Sequence, residues 1–152
     1  MSYVRVWVHL IWSTKSRQST LEKEFREKLF DHIHENAKMK GIYLDSINGY
    51  LDHVHALISL RSDYSISKIV QLLKGESSHW ANGLISILSK FEWQDDYIAL
   101  SVSESAVDAV RRYIGSQEEH HRRKTFAEEY QEFVGESIAD DRGLKPAEKG
   151  ER

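Results

Sequence analysis

The 152-residue sequence is about one domain's worth, with four Trp, seven Tyr and five Phe to build a core. It has no cysteine, which excludes a disulfide framework and a thiolate metal site. The net charge is −3, but residues 128–152 hold eight acidic against four basic residues, leaving residues 1–127 near neutral with 17 basic and 16 acidic. Any nucleic-acid contact is therefore expected from local basic patches, not from a broadly basic surface.

The N-terminal MSYVRVWVHLIWS lacks the basic region, long apolar run and small-residue cleavage site of a secretory leader. Charged residues interrupt every apolar run before membrane-spanning length, so a cytoplasmic protein without membrane attachment is expected. Residues 3–12 alternate as a strand, with Val4, Val6, Val8, Leu10 and Trp12 on one face and other large side chains opposite. A polar loop follows over 13–19. Leu21, Phe25, Leu29, Ile33 and Ala37 recur at helical spacing over 20–40, with Thr20 as a candidate cap and Gly41 as the terminator.

Residues 42–49 read as a second strand, closed by the Asn48-Gly49 turn signal. Residues 53–60 (HVHALISL) read as a third. A second helix is predicted over 65–80, with 81–90 an ambiguous continuation. One or two short strands fall in 91–102, broken at Asp95-Asp96. Two N-terminal signatures, Ser101 to Glu104 and Ser105 to Asp108, open a helix over about 104–119 with Val107, Val110 and Ile114 inward. A last helical stretch is expected over 125–134. Residues 1–135 read as one domain, and 136–152 as a disordered acidic tail. The order β-α-β-β-α-β-α is that of an α+β, ferredoxin-like (split βαβ) fold: an antiparallel sheet with helices on one face, plus a C-terminal helix. That architecture hosts many functions and decides none.

Two constellations carry chemistry. On a strand, His53 and His55 share a face while Val54, Ala56, Ile58 and Leu60 turn to the core. Two imidazoles on one rigid strand can bind one metal, with Asp52 placed to orient a ligand. On spacing alone, two half-exposed structural histidines are the plainer reading, and a third ligand is needed to change it. In VRRYIGSQEEHH (110–121), Tyr113 and Gln117 lie four apart and hence on one helix face. A phenol beside an amide oxygen suits metal-assisted phosphoryl transfer, although an interface tyrosine and a surface glutamine fit the spacing as well. His120 and His121, adjacent on a helix, are expected to be exposed at its end and not to share an ion.

Four segments, VHLIWSTKSR (8–17), LDHVHALISL (51–60), FEWQDDYIALSVSES (91–105) and VRRYIGSQEEHHRRKTFAEEYQEFV (110–134), together resemble the single-tyrosine HUH transposases of small bacterial insertion sequences. The similarity is greatest to their REP-associated group. It implies a transposase that binds a DNA hairpin as a homodimer and cuts and rejoins single-stranded DNA. It further implies that Tyr113 is the nucleophile, forming a 5′-phosphotyrosine link, and that His53, His55 and Gln117 hold Mg²⁺ or Mn²⁺. In such enzymes the sites are composite, the histidines of one subunit working in trans with the tyrosine helix of the other. Leu51 departs from the proline that often precedes this Asp-His-x-His run. Candidate DNA contacts are Lys15, Arg17, Lys74, Arg111, Arg112, Arg122 and Arg123, with Trp12 and Trp80 assigned either to base stacking or to the core. The alternative function is a catalytically inactive or domesticated single-stranded nucleic-acid-binding module on the same sheet.

Overall fold

The computed structural model describes residues 2–84, 90–121 and 123–142, the last eight by their backbone alone. The chain divides into two compact units, residues 1–117 and 118–152. The first contains β1 (Trp7–Ser13), α1 (Lys23–Met39), β2 (Tyr43–Gly49), β3 (His53–Ser59), α2 (Ile66–Leu84), β4 (Ile98–Val102) and α3 (Val107–Gly115). Its four strands form one antiparallel sheet in the order β2-β3-β1-β4, the ferredoxin-like arrangement expected from the sequence. Among the described residues no helix is long and apolar enough to cross a membrane.

The two central strands are buried on both faces, and each face has its own partner helices. Val8, Leu10 and Trp12 of β1 join Val54, Ala56 and Ile58 of β3 against Leu29, Ile33 and Ala37 of α1 and Ile69, Val70 and Leu73 of α2. The opposite parity, Trp7 and Leu57, packs on Val107 and Ile114 of α3. Thus α1 and α2 cover one face, and the helix that carries Tyr113 lies on the other. Trp12 belongs to the core at 1% exposure, while Trp80 is half-buried and stacks on His32 with ring centroids 4.3 Å apart.

Several boundaries differ from the sequence reading for visible reasons. Strand β1 begins at Trp7, where its ladders to Ser59 and Val102 both end; Val4 and Val6 lie beyond those rungs and are exposed. Helix α1 starts at Lys23 after Glu22, with no side-chain cap from Thr20, and Gly41 (φ +71°) follows its end. The hairpin turn falls on residues 50–52, because Asn48 and Gly49 stay in the ladder opposite His55 and Val54. Glycine is required at 49 by proximity: a Cβ there would stand 2.2 Å from the carbonyl oxygen of His53. The helix expected over 104–119 is broken into a 3₁₀ turn at Glu104–Ala106, α3, and α4 (Gln117–His121) after the non-helical Ser116.

The second unit holds the rest of α4 and α5 (Phe126–Arg142), which continues past 134 into the segment read as an acidic tail. Thr125 caps the N-terminus of α5 through its side chain. Its Oγ1 accepts from the Glu128 amide at 3.2 Å and donates to the Glu128 carboxylate at 3.1 Å. Residues 143–152 lie outside the described residues.

Candidate active site

The histidine pair occupies the α3 face of the sheet, as the period of two requires. Both His53 and His55 have no exposed surface, which overturns the half-exposed alternative. Asp52, at the end of the hairpin turn, accepts a hydrogen bond from His53 Nδ1 at 2.8 Å. That bond aims the other nitrogen, Nε2, at Gln117 Oε1, 3.4 Å away. Gln117 is itself fully buried, and its amide nitrogen donates to the Tyr113 carbonyl at 3.1 Å. With the NH₂ spent on that carbonyl, the amide oxygen is the atom that faces the histidine.

Tyr113 lies in the last turn of α3 and is half-buried. Its ring meets His55 edge-on at 5.6 Å between centroids and a further histidine, His9, at 6.3 Å. His9 escaped the sequence reading. It is 3% exposed, shares the face of His53 and His55, and places Nε2 2.9 Å from Nδ1 of His55. The only trace of it in the sequence is its odd position in β1, opposite in parity to the core set. Tyr113 and Gln117 are brought together by the turn at Ser116 and the Gln117 to Tyr113 bond, not by one continuous helix. All four expected site residues lie together in the chain.

Two strand residues fix α3 over this face. Asn48 Nδ2 donates to the Ile114 carbonyl at 3.0 Å, satisfying a helix-end acceptor that the helix itself leaves open. A β-bulge between Leu44 and Ser46 turns Asp45 toward α3, where Arg111 grips it through Nε (2.9 Å) and Nη2 (2.8 Å) while also bonding Asp108. The Arg111 guanidinium holds the Asp45 carboxyl below its usual 3.8, with Ser46 assisting and burial opposing. A carboxyl depressed in the folded state contributes stability above the unfolded value and loses it as pH falls through the folded one. Arg111→Gln is therefore expected to lower the urea midpoint at pH 7, with the gap to the parent closing as the pH drops below about 3.8. A gap that is independent of pH would show the pair to be inert.

The other expected DNA contacts are scattered. Lys15 is exposed and paired with Glu92 at 2.9 Å, and Arg17 is exposed in a left-handed conformation (φ +51°). Lys74 donates to the carbonyls of Gln94 and Asp95, and burial lowers its pKa. With Lys15 and Lys90 it lines an open cavity of about 400 Å³ beside Trp93. Arg112 is exposed on α3 and Arg123 is exposed in the second unit; Arg122 lies outside the described residues. In that second unit His120 and His121 are not the exposed pair expected. Both face the buried carboxylate of Glu129, at 2.9 and 3.5 Å, and His121 Nδ1 donates to the Lys124 carbonyl at 2.8 Å.

The donor set fits a divalent cation. Two neutral imidazoles and an amide oxygen are ordinary ligands, all three are buried, and the second nitrogen of His53 is anchored by a carboxylate as a ligating histidine requires.

A chain of this fold and sequence matches a known class. The family model "Transposase IS200 like" matches residues 2–117, ending where the first unit ends. The ISDra2 transposase TnpA of Deinococcus radiodurans is 30% identical over 122 residues, covering 72% of this chain and 81% of that protein. A crystal structure of a Deinococcus radiodurans protein described as a transposase superposes with TM-score 0.62 and 29% identity, over 77% of this chain and 95% of the other. The structure of a REP-associated tyrosine transposase bound to a REP hairpin shares the fold at TM-score 0.57 and 16% identity, over 76% and 68%. The chain belongs to the IS200-like transposase family.

Proposed function

We propose that this transposase binds a DNA hairpin and cuts and rejoins single-stranded DNA through Tyr113, with His53, His55 and Gln117 as ligands of a divalent metal. The observation that carries this reading is the meeting of Gln117 with His53 across 64 residues of sequence, with Tyr113 beside His55. The Tyr113 oxygen attacks the scissile phosphorus, the bond to the 3′ oxygen breaks, and a 5′-phosphotyrosine and a free 3′-hydroxyl result. The reverse attack by a 3′-hydroxyl at a new junction restores the phenol, so the ester energy is conserved throughout. A bound cation supplies polarisation of the phosphate; imidazole ligands suit Mn²⁺ better than Mg²⁺. Asp52 holds the His53 ring, and Gln117 ties the metal site to the backbone of the nucleophile.

Hairpin phosphates fall to Lys15, Arg17, Lys74, Arg112, Arg122 and Arg123. Arg111 joins them only by sharing or leaving its bond to Asp45. The enzyme acts in the cytoplasm, as a homodimer with composite sites, the His53 and His55 of one subunit working in trans with the Tyr113 helix of the other.

Incubation with Mn²⁺ or Mg²⁺ and a labelled hairpin oligonucleotide with single-stranded flanks tests the activity. A protein–DNA adduct that survives denaturation is expected. Binding without any adduct in either metal would instead identify a nucleic-acid-binding module. Mixing Tyr113→Phe with His55→Ala chains tests the assembly: recovery of the adduct is expected from sites shared between subunits, whereas no adduct would place all four residues of a site within one chain.

A further inference from the structure

We propose that His9 is a positioning residue of the metal site: its Nε2 accepts a hydrogen bond from Nδ1–H of His55, which sets His55 in the tautomer that ligates through Nε2. The inference rests on the reading of His53 and His55 as ligands. A neutral imidazole carries one proton, and the protonated nitrogen cannot bind a metal. For His53, Asp52 engages Nδ1 at 2.8 Å while Nε2 faces Gln117. For His55, the group on Nδ1 is His9, at 2.9 Å. The two ligand histidines are thus held in the same manner, one by a carboxylate and the other by a neighbouring imidazole.

The placement of His9 is rigid. The β1–β3 register sets His9 opposite Leu57 and Ile11 opposite His55, so His9 and His55 are diagonal neighbours on one face of the two central strands. An aliphatic residue would suit the packing there, beside Trp7 and Leu57, at lower desolvation cost than a histidine. What an aliphatic residue lacks is an acceptor aimed at His55. If the His55 proton moved to Nε2, that nitrogen would be lost to the metal.

The test compares full-length wild type, His9→Phe, His9→Gln and His53→Ala. Histidine ¹H–¹⁵N spectra without metal report the His55 tautomer, and the resonance of free Mn²⁺ reports affinity. Wild type is expected to carry the His55 proton on Nδ1. His9→Phe, which keeps the ring but not the acceptor, is expected to shift it to Nε2 and weaken Mn²⁺ binding about 10–100-fold. His9→Gln, whose side-chain oxygen reaches the same place, is expected to restore both. A wild-type His55 protonated on Nε2, or a His9→Gln as weak as His9→Phe, would overturn the role of His9. Unchanged Mn²⁺ affinity in His53→Ala would overturn the ligand assignment itself. Loss in His53→Ala with none in His9→Phe would overturn the His9 role alone.

Discussion

Tyr113→Phe is expected to bind hairpin DNA as the parent does and to form no covalent adduct, a loss of about a thousandfold or more in strand cleavage. The substitution removes one oxygen and keeps the ring that packs edge-on against His55 and His9, so the fold and the buried His53, His55 and Gln117 stay in place. Because the proposed nucleophile itself forms the covalent bond, no neighbouring group compensates for its loss. Gel resolution of the adduct after denaturation, beside a binding titration, separates chemistry from affinity. An adduct persisting in Tyr113→Phe would remove Tyr113 from the reaction and send the search to another tyrosine.

The second large effect lies outside the reacting groups. Gly49→Ala is expected to destabilise the fold by about 3 kcal/mol, because the added Cβ would stand 2.2 Å from the His53 carbonyl oxygen and 3.1 Å from Phe30. The strand pair must open or shift at His53, the first of the proposed metal ligands. Mn²⁺ affinity is therefore expected to fall along with the urea midpoint. An unchanged midpoint would show that the hairpin yields locally without cost.

The sequence by itself determined more of the site than of its support. A period of two along HVHALIS put His53 and His55 on one face and Val54, Ala56 and Ile58 on the other, and both assignments hold. Alternation and helical spacing are local properties, so strands, the two long helices and the order of elements were legible. The residues matching the single-tyrosine group tied the histidines to Tyr113 and Gln117, which spacing alone left as separate weak signals.

What tertiary structure alone decided are relations between distant segments. The Asn48-Gly49 pair is a strong local turn signal, yet pairing with β3 keeps both residues in the strand. There Asn48 caps α3 and Gly49 makes room for a carbonyl. His9 joins His55 only through the β1–β3 register, and a one-residue slip would have sent it to the opposite face. Helix signals ran through Ser116, but the helix is interrupted there, and the interruption places a buried amide against His53. Side-chain periodicity states which face a residue takes; only the register and the packing of one element on another state what it meets there.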